Sequence, residues 1–145
     1  MRIAVRAIVI KDDQLLVMHR NKFGTEYDTL PGGNVEIGET HEQALFREID
    51  EETTVTIADP HLVFLEHAGD PYGEQYIFLC RYVSGEPQLR NDSEEELIHR
   101  KGQNLYVPGW VKLSDLPSKP FKSEALRDRL LAAVQSTWPD TPVEF

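Results

Sequence analysis

With 145 residues, 25 acidic and 15 basic side chains and a net charge of −10, the chain is long enough to bury a self-sufficient core and reads as one domain over 1–145. That acidity argues against a nucleic-acid partner, because a phosphate backbone is bound by a basic stripe that is not visible here. No apolar run approaches membrane-spanning length, Met1 to Ile10 is broken by Arg2 and Arg6 and carries no signal-peptide core, and Cys80 is the single cysteine; no membrane partner, no intrachain disulfide and a cytoplasmic location are expected.

In chain order, residues 3 to 10 and 14 to 20 read as two strands joined by a turn at Asp12-Asp13. A loop from Asn21 to Tyr27 leads through Asp28-Thr29-Leu30 into a glycine turn at Gly32-Gly33. A helix follows, announced by Thr40 with Gln43 three residues later as a capping box. Val55 to Ile57, His61 to Ala68 and Gln75 to Val83 are rich in β-branched and aromatic residues and read as strands, with a turn at Asp70-Pro71-Tyr72-Gly73. After a turn at Ser84 to Pro87, residues 88 to 104 are polar and irregular. Leu105 to Leu113 reads as a strand that Pro108 confines to an edge or a bulge, and Ser123 to Gln135 as a helix burying Leu126, Leu130 and Val134. The tail from Trp138 to Phe145 is expected to be irregular. The order is that of an α/β protein with a mixed sheet.

The first helix carries the chemistry. At about 100° per residue, Glu48, Glu51 and Glu52 fall within an arc of roughly 100°, at the edge of a stripe formed by Leu45, Phe46 and Ile49, while Asp50 takes the solvent side. Like charges three and four residues apart repel, and partly desolvated carboxylates held together call for a cation. Hard oxygen donors suit magnesium, manganese or calcium. Arg47, one turn before Glu51, is placed to brace that carboxylate from outside the metal site. Taken alone, an acidic helix face is usually just solvated; its setting is what makes this one informative.

Gly33, five intervening residues, Glu39, seven more, then Arg47-Glu48-Ile49-Asp50-Glu51-Glu52 resembles the Nudix box, Gx5Ex7REUxEExGU with U aliphatic, the signature of the Nudix hydrolases. One position departs from it, Thr54 standing where the pattern has glycine before the aliphatic Val55. The resemblance implies a Nudix-like α/β/α sandwich over nearly the whole chain, with Glu48, Glu51, Glu52 and the Gly33 carbonyl as metal ligands and Glu39 in a supporting role. Because a β-branched residue resists the left-handed conformation by about 1–2 kcal/mol, the helix is expected to end without a left-handed cap.

The implied reaction is Mg²⁺-dependent hydrolysis, with Mn²⁺ as the alternative metal, of a diphosphate linkage in a nucleoside diphosphate derivative such as a nucleoside triphosphate or an ADP-ribose-like compound. Glu95, in the acidic run Glu94-Glu95-Glu96, is the candidate general base, since a carboxylate committed to a metal is a poor proton acceptor; a box glutamate serving both ends is the other option. Arg20 is placed to reach a phosphate, and Phe23 and Tyr27 to stack on a base, with Glu39 beside them as a substrate-side group; surface exposure and packing are the bland readings of these three outer residues. Resemblance also makes a homodimer an option. Cys80 reads as core packing, and the five histidines show no zinc spacing. The competing functions are a non-catalytic Nudix-fold nucleotide sensor or interaction module, for which loss of the carboxylates would be expected, and a calcium-binding module, which lacks its Asp/Asn-rich loop.

Overall fold

Alternation along the first strand decides where the two helices pack. In β1 (Ile3–Lys11), Val5, Ala7 and Val9 face one side and Ala4 and Ile8 the other, all fully buried. The computed structural model describes residues 2–88 and 104–145. Asp12 and Asp13 both take positive φ, 51° and 61°, the two-residue turn whose twist suits a hairpin, and β2 (Gln14–Lys22) returns with Lys11 opposite Gln14. β2 then parts from β1 and pairs along its whole length with β7 (Asn104–Lys112).

Where a loop was expected from Asn21 to Tyr27, Thr25–Thr29 forms β3, antiparallel to β2, with the turn taken by Phe23 and Gly24 at positive φ. The glycine turn is itself a short strand, β4 (Gly32–Asn34), antiparallel to β1. The expected strands 55–57 and 61–68 are one, β5 (Thr56–His67), because bulges around Asp59 and Pro60 absorb the proline without ending the pairing to β6 (Glu74–Ser84). β6 runs parallel to β1, which makes the sheet mixed, and its order is β3-β2-β1-β6-β5-β8. β8 (Val143–Glu144) corrects the irregular tail: it pairs with β5, and Phe145 exchanges backbone hydrogen bonds with Leu65 and His67. Pro108 sits on β7, paired to β2 alone among the described residues, as an edge strand allows.

α1 (His41–Thr53) covers one face, burying Ala44, Leu45 and Ile49 against Val5, Ala7, Val9 and Leu16. α2 (Glu124–Gln135), entered through a 3-10 helix at Leu113–Ser118, covers the other, burying Leu126 and Leu130 against Ile8, Leu15, Val17 and Ile77. Two details differ from the periodicity. Phe46 and Val134 are exposed, and Ala133 takes the buried position expected of Val134. Cys80 packs in the α1-side core, where burial pushes its thiol up to about 12. The resulting α/β/α sandwich sets both the capped start of α1 and the Gly32–Asn34 strand at one end of the sheet.

The end of α1 overturns the expectation for Thr54. This residue does adopt the left-handed conformation, φ 60° and ψ 8°. The surroundings hold it there: its hydroxyl donates to the Glu86 carbonyl at 3.0 Å, and the Gln88 N–H donates to the Thr53 carbonyl at 2.8 Å. Thr54→Val, which keeps the branch and removes the hydroxyl, should cost about 1 kcal/mol in urea unfolding. Thr54→Gly should stay within about 1 kcal/mol of the parent, since relief of strain is offset by the lost hydrogen bond and by the freer unfolded chain. A gain above about 2 kcal/mol for Thr54→Gly would show that the Glu86 and Gln88 contacts do not compensate the strain.

Candidate active site

The reciprocal bonds of the capping box fix where α1 begins: Gln43 N–H donates to the Thr40 hydroxyl at 3.1 Å, and Thr40 N–H to the Gln43 side chain at 2.9 Å. From that start, Glu48 and Glu52 point back at consecutive glycines. A Cβ added at Gly32 would lie 1.9 Å from the Val5 carbonyl oxygen, so that position admits no side chain, and one at Gly33 would lie 2.4 Å from the Glu48 carboxylate and would displace it. Gly32 N–H donates to Glu52 Oε2 at 3.1 Å, and Glu52 is buried.

Arg47 ties the loop to the helix. Its Nε and Nη2 grip both oxygens of Glu39 at 2.7 and 2.8 Å, Nη2 also reaches the Asn34 carbonyl at 3.1 Å, and Nη1 donates to Glu48 Oε1 at 2.8 Å. Glu51 Oε2 lies 3.5 Å from Nη1, with its side chain 46% exposed. The expected Arg47–Glu51 brace is thus the weakest of these contacts, and the Glu39 fork the strongest, because the loop carboxylate meets the guanidinium edge-on. Both oxygens of Glu39, expected on the substrate side, are engaged by Arg47. That hydrogen bonding, with a further bond from Glu36 N–H at 2.8 Å, holds the Glu39 carboxyl down to about 2 and Arg47 above its ordinary range.

The donor set offered by Glu48, Glu51, Glu52 and the Gly33 backbone is all oxygen and fits a hard divalent cation, and the bare Cα of Gly33 leaves room for the Glu48 carboxylate. Among the described residues no three His, Cys, Asp or Glu side chains stand close enough to enclose an ion as they are placed, with Arg47 drawing Glu48 toward itself. Glu95 lies outside the described residues.

Beside the acidic helix opens a cavity of about 450 Å³. Arg6 borders both: it lines the cavity, its Nε donates to Gln75 at 3.1 Å and its Nη1 to the Leu30 carbonyl at 3.3 Å, and burial pulls its guanidinium below the ordinary value while Glu52 and Glu48 oppose that pull. Arg20 and Tyr27 line the cavity, with the guanidinium of Arg20 stacked 3.7 Å from the Tyr106 ring centre. Phe23 is corrected: it caps the β2–β3 turn, 71% exposed and outside the cavity lining, because the turn directs it to solvent. Sequence reasoning passed over Arg6, Lys122, Gln75 and Glu66, all cavity-lining residues. Arg6 had a signal, a charge sharing the alternating face of buried Ala4 and Ile8. The others had none, since Lys122 and Ser123 reach the site only when α2 docks.

A family model for the NUDIX domain matches residues 1–134. The chain belongs to the Nudix family. Among its curated relatives, this Nudix chain is 37% identical over 111 residues to the NAD-capped RNA hydrolase NudC of Photorhabdus laumondii, covering 76% of this chain and 38% of that protein. It is 36% identical over 99 residues to the ADP-ribose pyrophosphatase of Methanocaldococcus jannaschii, covering 64% of this chain and 58% of that one. The chain spans less than half the length of the NudC proteins it matches. In fold it is similar to an ADP-ribose pyrophosphatase from Streptococcus suis, with TM-score 0.70 at 19% identity over 99% of this chain and 98% of that one, and to a MutT NUDIX hydrolase from Burkholderia pseudomallei, with TM-score 0.66 at 26% identity over 89% and 95%. No helix among the described residues is long and apolar enough to cross a membrane.

The Arg47–Glu39 fork makes an acid-sensitive contribution. Glu39 titrates near 2 when folded against an ordinary 4.5, so the unfolded chain binds more protons between those values; the stabilisation is complete above about pH 4.5 and lost as pH falls toward about 2. Urea midpoints followed from about pH 6 to about pH 2.5 should therefore fall more steeply for the parent than for Glu39→Gln, and parallel declines would contradict this.

Proposed function

We propose that this chain hydrolyses the diphosphate linkage of a nucleoside diphosphate derivative with the help of a divalent cation, Mg²⁺ or Mn²⁺. The observation that carries the reading is the pair of carboxylates, Glu48 and Glu52, seated against Gly33 and Gly32 and linked to a cationic cavity by Arg6, which lines that cavity and feels both charges. Glu48, Glu51, Glu52 and the Gly33 carbonyl would hold the metal, which when bound supplies charge neutralisation for phosphoryl oxygens and an acidified water. Relatives named for NAD-capped RNA and for ADP-ribose support the substrate class, since NAD and ADP-ribose both carry a diphosphate between two ribose units.

The chain's own residues divide the remaining work. Arg47 is a positioning residue: fixed by Glu39, it aims Glu48 and spares the cluster part of its mutual repulsion. Arg6, bonded to the Leu30 carbonyl on the cavity wall, offers guanidinium donors to the scissile phosphoryl oxygens, and Arg20 on the same wall is placed to reach a phosphate. Tyr27 forms part of the wall that excludes water from the bound nucleotide. The proton acceptor is a box glutamate or Glu95.

Glu48→Gln and Glu52→Gln should each lower kcat/KM on ADP-ribose with Mg²⁺ by about 100-fold or more while preserving the far-ultraviolet circular dichroism spectrum. A parental rate for Glu48→Gln overturns the reading. For Arg47→Lys, which loses the fork, the half-saturating Mg²⁺ concentration should rise about tenfold, with kcat at saturating metal much less affected.

A further inference from the structure

Charge in the cavity exceeds what a scissile diphosphate needs. Arg2, Arg6, Arg20 and Lys122 all line it, on a chain whose net charge is −10. Among the described residues their hydrogen-bond partners are neutral: Arg2 donates to Asn34 at 2.6 Å, Arg6 to Gln75 and a carbonyl, Arg20 to Asn104 at 2.8 Å, and Lys122 to the Tyr72 hydroxyl at 3.2 Å, while Arg6 alone also feels the charges of Glu52 and Glu48. Among the described residues no carboxylate forms an ion pair with any of the four. His67, on the same wall, shows the contrast, being engaged by Glu74 at 2.6 Å and Glu144 at 3.0 Å.

Holding these cations together works against their charge: burial lowers the guanidinium of Arg6, Glu52 and Glu48 favour its charge, and the neighbouring Arg2 and Arg20 oppose it. Arg20 Nε is buried with no hydrogen-bond partner among the described residues, a donor that a ligand's oxygen would satisfy. The aromatic rings already carry cations: Arg20 lies over Tyr106, and Lys122 stands 4.5 Å from the Tyr27 ring centre and 5.5 Å from that of Tyr72. A neutral base stacked here would displace a cation from its ring. Among the described residues one carboxylate stands on this wall, Glu66, buried and accepting the Ser123 hydroxyl, an acceptor suited to sugar or polyol hydroxyls.

Resting on the hydrolase reading above, we infer that the cavity takes a phosphate ester on the substrate beyond the scissile diphosphate, carried by a sugar or polyol: the guanidinium groups of Arg2 and Arg20 and the Lys122 ammonium bind its oxygens, and Glu66 its hydroxyls. The scissile diphosphate is met by the metal and Arg6; the surplus cations are left for a second anionic centre.

The test pairs ADP-ribose with 2′-phospho-ADP-ribose, and dephospho-coenzyme A with coenzyme A, each pair differing by one phosphate ester. In steady-state assays with Mg²⁺, kcat/KM should favour the phosphorylated member of at least one pair by about tenfold or more, the worth of one charge-assisted hydrogen bond. Arg20→Gln and Lys122→Gln should bring that ratio to within about threefold of unity. Calorimetric titration of the same compounds without metal separates binding from turnover. Equal turnover within both pairs overturns this inference and leaves the hydrolase reading standing. Turnover of none, with tighter binding of a phosphorylated member, overturns the hydrolase reading and supports the ligand class. Equal binding and no turnover overturns both.

Discussion

The Arg47 guanidinium is the junction on which the acidic site depends. Glu48, Glu51 and Glu52 sit three and four residues apart, a spacing at which like charges destabilise a helix. Arg47 offsets that locally through Glu48, while its other donors seize Glu39 and the Asn34 carbonyl on the incoming loop. One side chain thus fixes the distance between loop and helix, and with it the approach of Gly33 to Glu48. A lysine would supply the charge but not the planar fork that makes three separate connections.

The second constraint is steric. β4 pairs with β1 so closely that Gly32 has no room for a side chain, and the same pairing presents its N–H to Glu52. The two glycines serve different needs, Gly32 the contact with β1 and Gly33 the space for a carboxylate. Acidic helix and cationic cavity then meet at Arg6, whose neighbours include Glu52 on one side and Gln75 on the other. Net charge describes the whole surface, whereas a ligand in this cleft meets locally opposed fields.

Local patterns were legible where one segment supplied all the information. The capping box, the apolar stripe of Leu45 and Ile49, the hairpin at Asp12-Asp13 and the oxygen-rich helix face depend on residues a few positions apart. Thr54 shows the limit of such reasoning. Its intrinsic resistance to a left-handed conformation was a sound premise, yet Glu86 and Gln88, more than thirty positions away, supply the contacts that hold it there. The break expected between Ile57 and His61 fails for a similar reason, since a bulge against β6 lets one strand run through Pro60.

The sequence by itself determined the acidic helix, its start, its flanking glycines and the family to which they belong, because each follows from spacing within a single stretch of chain. Only the tertiary structure decided that Arg6, Arg20 and Lys122 share a cavity, that Glu39 holds Arg47, and that Phe23 faces water. Those outcomes rest on strand pairing and on the docking of α2, which join residues far apart in the chain and leave no local periodicity to read.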